Sequence, residues 1–192
     1  MTGKNTGPDT LAFLPEGSEL AALIRAFDWK GTPLGELQQW PEYLCAVVAL
    51  MLRSAVPMTL QWGHEGWMIY NDAYRDIAGT RHPGLLGKSI ANAWAEIADF
   101  RRGVVDRVLD GHTLSYRDEY FSLVHHDGPE DVWMDIDYSP VIDAAGVPAG
   151  VLAIVKDTTR RFRAEQRLLI AQEAGSVGTF ELYPQSGRFE VS

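Results

Sequence analysis

The spacing of apolar residues in the first part of the chain is that of helices. Apolar side chains recur every three or four positions at Leu20, Leu23, Ile24 and Phe27. Ser18 precedes them and is a residue type that favours helix N-termini. Pro41 suits the first position of a second helix, which extends to about Ala55 and is apolar nearly all round. Either the rest of the domain or a partner chain must cover that helix.

From Pro57 onward the pattern changes to that of strands. Two short strands are predicted around a glycine-rich turn, at 58–62 and 67–70, and three longer ones at 113–125, 132–141 and 147–156. In the strand at 132–141, Met134, Ile136 and Tyr138 alternate with polar residues. That alternation predicts one buried face and one wet face.

Helical patterns separate and follow these strands. A short helix lies at 71–79, and a longer one at 99–109 has Phe100, Val104, Val105 and Val108 as its inner face. Residues 80–95 between them look irregular, because glycine and proline interrupt them. A last helix extends from Thr158 to about Ala174, and two short strands follow Val177, joined at Ser186-Gly187. The order predicts an α+β fold: a five-stranded antiparallel sheet with short helices grouped on one face, flanked by N-terminal helices and a C-terminal linker helix.

The elements divide the chain into five parts. They are a disordered tail (1–16), an N-terminal helical lead-in (17–56), the sheet-containing domain (57–157), a linker helix (158–175) and the start of a second domain (176–192). Because the last part holds only a first hairpin, we expect the sequence to be a piece of a longer multidomain protein.

The junction between the last core strand and the linker helix is the most informative segment. An apolar run from Gly150 ends at Asp157, Thr158 and Thr159, whose side-chain oxygens can cap the helix that follows. A buried strand coupled in this way to an outgoing helix indicates a domain that transmits its internal state.

Composition narrows the class of partner. The net charge of −9 argues against a nucleic-acid partner, which requires clustered Lys and Arg. The single cysteine, Cys45, excludes an internal disulfide and fits a reducing compartment. The longest apolar run, at 43–52, is too short to span a bilayer, and the N-terminus lacks the apolar core of a signal peptide. We therefore expect a cytoplasmic protein with no membrane span.

Several short motifs, in this order, resemble the PAS domain, a bacterial sensory module. They are Tyr70-Asn71-Asp72-Ala73-Tyr74, Leu86-Gly87-Lys88, Tyr138-Ser139-Pro140 with Asp143 and Gly146, and Asp157-Thr158-Thr159. The segment from Asp28 to Pro41 resembles the lead-in before the first PAS domain of many sensor histidine kinases, and 174–188 resembles the start of a second PAS domain. The resemblance implies downstream PAS and kinase domains in the same chain, in a two-component phosphorelay. The apolar helix that follows Pro41 supports a homodimer. These residues contain no kinase or cyclase motif, so we expect no enzyme activity in them; an output such as a cyclic-di-nucleotide enzyme stays open.

PAS domains, by resemblance, bind small molecules between the inner face of the sheet and the middle helices. The corresponding pocket residues here are Tyr74, Ile77, Trp94, Val105, Leu109, Phe121, Leu123, Met134, Ile136, Tyr138, Ala153 and Val155; Val151 shares the face. The same side chains could simply fill an ordinary core. Trp94 and Tyr138 are the stronger candidates, because each carries a polar group that needs a partner when buried.

The cofactors that the family uses are tested by residue type. Residues 80–95 contain no cysteine and Val155 takes the place of the strand glutamine, so a cysteinyl-flavin adduct is not expected, nor is a cysteine-linked chromophore. Haem is also unexpected because 99–109 contains no histidine, although His112 follows closely. His125 and His126 point to opposite faces of a strand, and Asp118, Glu119, Asp135 and Asp137 are expected on the wet face, so neither set predicts a metal or catalytic site. Noncovalent flavin, an organic metabolite or no ligand at all remain open.

Two functions therefore compete, and both include a dimer. The first is a ligand-sensing input domain that relays through Asp157, Thr158 and Thr159; the second is a ligand-free dimerisation and spacer module. Val47 and Leu50 on the second helix are the predicted dimer contacts. Ala164, Leu168 and Ala171 also permit a short coiled coil on the linker helix.

Overall fold

The computed structural model describes residues 11–125, 128–175, 180–183 and 188–191. Helices α1 (Glu19–Ala26) and α2 (Glu42–Leu52) precede strands β1 (Met58–Trp62) and β2 (Trp67–Tyr70). Helices α3 (Arg75–Ala78), α4 (Ile90–Ala93) and α5 (Ala98–Leu109) follow, and then strands β3 (Leu114–His125), β4 (Gly128–Ile142) and β5 (Pro148–Asp157). Helix α6 (Thr159–Gly175) and strands β6 (Phe180–Tyr183) and β7 (Arg188–Val191) complete the described elements.

The five-stranded sheet confirms the predicted α+β fold. Its strand order is β2-β1-β5-β4-β3, and every neighbouring pair is antiparallel. Directly paired residues share a face of the sheet, so a row of facing side chains can be read from the register. One such row crosses all five strands through Tyr70, Thr59, Ala153, Tyr138 and Leu114. This row lies on the inner face, beneath the helices.

The lead-in packs on the same core as the sheet. Buried side chains between residues 14 and 52 belong to one continuous apolar cluster with those of the strands, among them Leu14, Trp29, Trp40, Leu44, Val48 and Met51. Part of the near-uniform apolar character of α2 is thereby explained within this chain. The predicted tail at 1–16 is wrong for 11–16, because Leu14 is buried and Phe13 packs against Trp40. Residues 1–10 lie outside the described part of the chain.

Some boundaries differ from the predicted ones. Helix α2 ends at Leu52, before Ala55, because the amide of Asn71 takes up the carbonyl oxygens of Met51, Ser54 and Val56. Strand β4 begins at Gly128, four residues before the predicted start, because it stays paired with β3 as far as His125. The stretch at 80–95 contains α4, which the glycines and prolines concealed. The predicted final hairpin is confirmed as paired strands β6 and β7, whereas Ser186-Gly187 lies outside the described residues.

Gly87 fixes how closely α1 approaches the domain. Its φ angle is +69°, and a Cβ there would lie 2.2 Å from Cζ of Phe27, just after α1. We expect Gly87→Ala to destabilise the protein by about 1–3 kcal/mol, because it adds both backbone strain and a clash. Gly103→Ala is the matched control: it lies in α5 with open space around its Cβ, and should stabilise by up to about 1 kcal/mol. Urea unfolding of both variants measures this, and equal effects would contradict the packing.

Candidate functional site

The predicted pocket residues lie together on the inner face. All are buried except Ile77 and Leu109, which pack half-buried against the same cluster. Strands β4 and β5 supply one wall, and α5 packs against both of them. Placement on one face is therefore as expected, but apolar packing alone does not distinguish a pocket from a core.

The same core also contains polar atoms without partners. Within the described part of the chain, seven fully buried side-chain atoms have no hydrogen-bond partner: Thr59 Oγ1, Gln61 Nε2 and Oε1, Trp94 Nε1, Arg101 Nε and Nη1, and Tyr138 Oη. Buried polar groups in folded proteins are nearly always paired, so a group of them in one core needs an explanation. A molecule that supplies the missing partners is one explanation.

The register shows why these atoms gather. Thr59 pairs with Ala153, and Ala153 pairs with Tyr138, so a small methyl group separates two hydroxyl-bearing side chains on the inner face. Gln61 is two residues further along β1 and therefore on the same face, next to Val151. Arg101 lies close enough to Tyr138 for its charge to act on that phenol, and its guanidinium carbon lies near the Trp94 ring.

Arg101 is the most unusual member of the group. It is only 5 % exposed, and no ion pair among the described residues includes it. Its guanidinium carbon lies 6.0 Å from the centre of the Trp94 ring. Arginine is almost never buried without a partner, because desolvation of an unpaired charge is costly. Two of the three guanidinium nitrogens of Arg101 thus lack a partner among the described residues.

Burial in this core raises the pKa of two tyrosines. Burial raises the pKa of Tyr138 to about 12, and the charge of Arg101 opposes that rise. Burial also raises the pKa of Tyr74. The nearby Arg101 guanidinium and Trp94 N–H lower that pKa and so offset part of the rise. Although these groups lie near the Tyr74 hydroxyl, Trp94 Nε1 and Arg101 Nε and Nη1 do not meet it with hydrogen-bond geometry. Both phenols are therefore neutral at physiological pH and can donate a proton in a hydrogen bond.

Arg81 closes the helical side of the site and is itself satisfied. Its guanidinium lies 4.3 Å from the Trp94 ring centre and pairs with Glu96 at 2.5 Å. It also donates to the carbonyl oxygens of Ala93 at 2.9 Å and Val124 at 2.6 Å. The contrast with Arg101 is direct: one arginine at Trp94 has all its partners on the protein, and the other lacks them.

Sequence reasoning missed Thr59, Gln61 and Arg101. A signal for Arg101 existed, because it lies three and four residues before Val104 and Val105 and so shares their buried face. Phe100, predicted for that face, is only half-buried and packs edge-on against Tyr116 and Phe121. Phe100 therefore packs against the core as predicted, and Arg101 is buried beside it although its charge argues for the wet side.

The exit junction is fastened to β4. The Thr158 N–H donates to the carbonyl oxygen of Trp133 at 2.8 Å, and the Trp133 N–H donates to Thr159 Oγ1 at 3.0 Å. Asp157 accepts from the Thr159 N–H at 2.8 Å, as predicted for a cap, whereas the hydroxyls of Thr158 and Thr159 bond Asp118 and the Trp133 backbone and do not cap α6. The Trp133 ring stacks on Phe162 in the first turn of α6, with centres 4.6 Å apart.

Asp118 also belongs to this junction. It was expected only as a solvent-exposed residue of the sheet, but its carboxylate bonds the start of α6. It has a φ of +47° at a register shift between Tyr116 and Glu119. Its carboxylate accepts from the Thr158 hydroxyl at 2.7 Å and pairs with Arg161 at 2.5 Å. These two contacts, the hydroxyl first, hold the pKa of Asp118 below its usual range. A shifted strand residue thus ties β3 to the outgoing helix.

The remaining predicted residues lie on the surface. Leu50 is 61 % exposed, and Val47 is half-buried on the same helix. Leu168, Leu169 and Ile170 are exposed on α6. His112 is exposed, and in the described residues no group of three His, Cys, Asp or Glu side chains could hold a metal. No helix in the described part of the chain is long and apolar enough to cross a membrane.

Comparison with known proteins identifies the fold. No curated protein matches the sequence. The PAS domain of BvgS from Bordetella pertussis is 23 % identical, with a TM-score of 0.51, over 70 % of this chain and 99 % of that one. A PAS domain from Colwellia psychrerythraea is 13 % identical (TM-score 0.46; 62 % and 99 % covered), and an RNA-binding light-oxygen-voltage receptor is 16 % identical (TM-score 0.49), with 68 % of this chain and 37 % of that chain covered. A family model described as the PAS fold matches residues 52–163, which is more than half of the chain. The chain belongs to the PAS family.

Proposed function

We propose that this PAS domain is a sensory input module that binds a small molecule in its core and relays binding through α6. The observation that carries the proposal is the set of buried, unpartnered polar atoms between sheet and helices. A core that served only as a spacer would gain stability by replacing these groups with apolar ones. Their presence is accounted for if a ligand completes their hydrogen bonds.

Strand β4 offers a direct route from pocket to helix. Tyr138 and Met134 face inward on it, while neighbouring Trp133 faces outward and bonds the start of α6. Met134 also pairs directly with Asp157. A ligand that shifts β4 would therefore move both the hydrogen bonds and the stacked ring that hold α6. The ligand can shift the equilibrium between two arrangements of β4 by no more than the difference between its binding free energies for those arrangements.

We further propose that the module works in a cytoplasmic bacterial sensor histidine kinase and has no catalytic activity of its own. The lead-in at 28–41 and the strand pair after α6 resemble the arrangement of tandem PAS domains in such kinases. The output domain is inferred from that resemblance, and another output, such as a cyclic-di-nucleotide enzyme, would use the same relay.

A ligand-free dimerisation module is the second candidate, favoured by the exposed apolar side chains of α2 and α6. We expect a homodimer in either case, with Leu50 and Val47 at its contact. Leu50→Glu should convert dimers to monomers in sedimentation velocity, because a buried unpaired charge opposes association. Val147→Glu is the control, since Val147 is also exposed but lies on the β4–β5 turn. Unchanged sedimentation of a folded Leu50→Glu protein would exclude this interface.

Native mass spectrometry of the gently purified chain distinguishes sensing from spacing. The sensory proposal predicts an additional mass that is lost on denaturation. A ligand-free mass, together with no stabilisation by any compound in a metabolite screen, would favour the spacer function and contradict the sensory one.

A further inference from the structure

We propose that the ligand is a small organic carboxylate held by Arg101, with Thr59, Gln61, Trp94 and Tyr138 around it. This inference rests on the proposed sensory function and adds to it the chemical class of the ligand. It depends on the charge, the hydrogen-bonding inventory and the surroundings of these five side chains.

The charge calls for an anion. Arg101 is 5 % exposed, and its Nε and Nη1 atoms carry N–H groups without acceptors. The acidic residues on its own helix, Asp99 and Asp106, are exposed and form no ion pair with it among the described residues. Burial of a lone guanidinium is strongly unfavourable, and hydrogen bonds to neutral groups alone offset it less well than an anion does. The missing partner is therefore negatively charged.

The other groups add to the demand for acceptor atoms. Trp94 Nε1 can only donate, and the neutral Tyr138 hydroxyl donates as well. Gln61 and Thr59 both donate and accept, so they suit a hydroxyl, keto or amide group next to the carboxylate. The methyl of Ala153 and the rings of Tyr74 and Trp94 are apolar groups beside these atoms, and they suit the carbon skeleton of a ligand. The site thus fits a carboxylate with at least one further polar group.

One available cation favours a carboxylate over a phosphate. Arg81, the other arginine at Trp94, is already paired with Glu96. A dianionic phosphate would bring a second negative charge into the core with no partner, and a buried unpaired charge is unfavourable. A single carboxylate balances Arg101 alone.

Removing the charge of Arg101 should have opposite effects on the stability of the ligand-free protein and on its affinity for the ligand. Arg101→Met keeps the length of the side chain and removes the unpaired charge, so the ligand-free protein should unfold at the same or a higher temperature. Its affinity for the carboxylate should fall about 100-fold or more, because the charged partner is lost. Arg102→Met is the matched control: its neighbour Arg102 is exposed, and its loss should leave affinity unchanged. Arg101→Lys should retain part of the affinity through its charge.

The experiment is thermal unfolding followed by calorimetric titration of the full chain. The probes are acetate, lactate, pyruvate, succinate, glutamate and benzoate, with lactamide and benzamide as uncharged analogues and inorganic phosphate as the other anion. We expect at least one acid to stabilise the wild type and Arg102→Met but not Arg101→Met, with no effect of the amides. Circular dichroism establishes that each variant is folded.

The possible results distinguish a failure of the carboxylate assignment from a failure of the proposed sensory function. Equal binding of an acid to wild type and Arg101→Met, or stabilisation by amides or phosphate but by no acid, would overturn the carboxylate assignment. If no acid stabilises the protein while native mass spectrometry detects an uncharged bound molecule, the assignment fails and the sensory function stands. If neither measurement detects a ligand, both fail.

Discussion

Replacing Asn71 with alanine is expected to destabilise the domain by about 3–5 kcal/mol, because it removes five hydrogen bonds between one buried side chain and the backbone. Asn71 is 0 % exposed. Its Oδ1 accepts from the N–H groups of Met58 at 3.0 Å and Tyr74 at 3.2 Å. Its Nδ2 lies within hydrogen-bond distance of the carbonyl oxygens of Met51, in the last turn of α2, at 3.1 Å, and of Ser54 and Val56, in the segment that follows, at 3.2 and 2.8 Å.

The physical reason is that one side chain joins three elements. Asn71 ends β2, caps the turn that leads to α3 and satisfies the carbonyls left free where α2 stops. Asn92→Ala is the control, because Asn92 is exposed and, in the described structure, its side chain bonds only the Ser89 hydroxyl. Urea unfolding should separate the two variants by several kcal/mol. A loss of under about 1 kcal/mol for Asn71→Ala would contradict the network.

Replacing Trp133 with alanine is expected to release the first turns of α6 while the sheet stays folded. The ring stacks on Phe162 and lies 5.8 Å from the guanidinium of Arg163, so it contacts two side chains in the first turns of the helix. Its loss should lower local stability by about 2 kcal/mol, or about 30-fold in hydrogen exchange of the amides in the first turns of α6.

The matched control is Leu168→Ala on the same helix. Leu168 is 61 % exposed and so contributes little to the contact with the sheet. Hydrogen exchange read by mass spectrometry should increase over 160–167 in Trp133→Ala and stay near wild type there in Leu168→Ala, with β5 protected in both. Unchanged exchange of the helix in Trp133→Ala would mean that the junction does not hold it.

The sheet and its inner face could be predicted from local pattern. Alternation in β4 identified Met134, Ile136 and Tyr138 as buried, because strand geometry determines which side chains share a face. The cap at Asp157 was also predictable from local sequence, because Asp is a residue type that favours helix N-termini. In contrast, the packing of Leu14 and Trp40 on the core depends on contacts distant in sequence, which periodicity does not report.

The polar part of the site could be predicted only in part. Trp94 and Tyr138 were identified because their polar groups need partners when buried, and both lack one. Arg101 was missed because a charged residue on an amphipathic helix is ordinarily assigned to the wet side. Asp118 was missed as a junction residue because the register shift at Tyr116 moves it out of the simple alternation.

Hydrogen exchange with and without a bound carboxylate measures the coupling of the core site to α6. The amides of residues 159–167 are compared in wild type and Arg101→Met, each with and without the acid that stabilises the wild type most. If the bound acid acts on α6 through β4, the exchange rates of these amides should change on addition of acid in the wild type and stay the same in Arg101→Met. Exchange in α6 that stays the same in the wild type, whether or not the acid protects β4 and α5, would contradict this coupling.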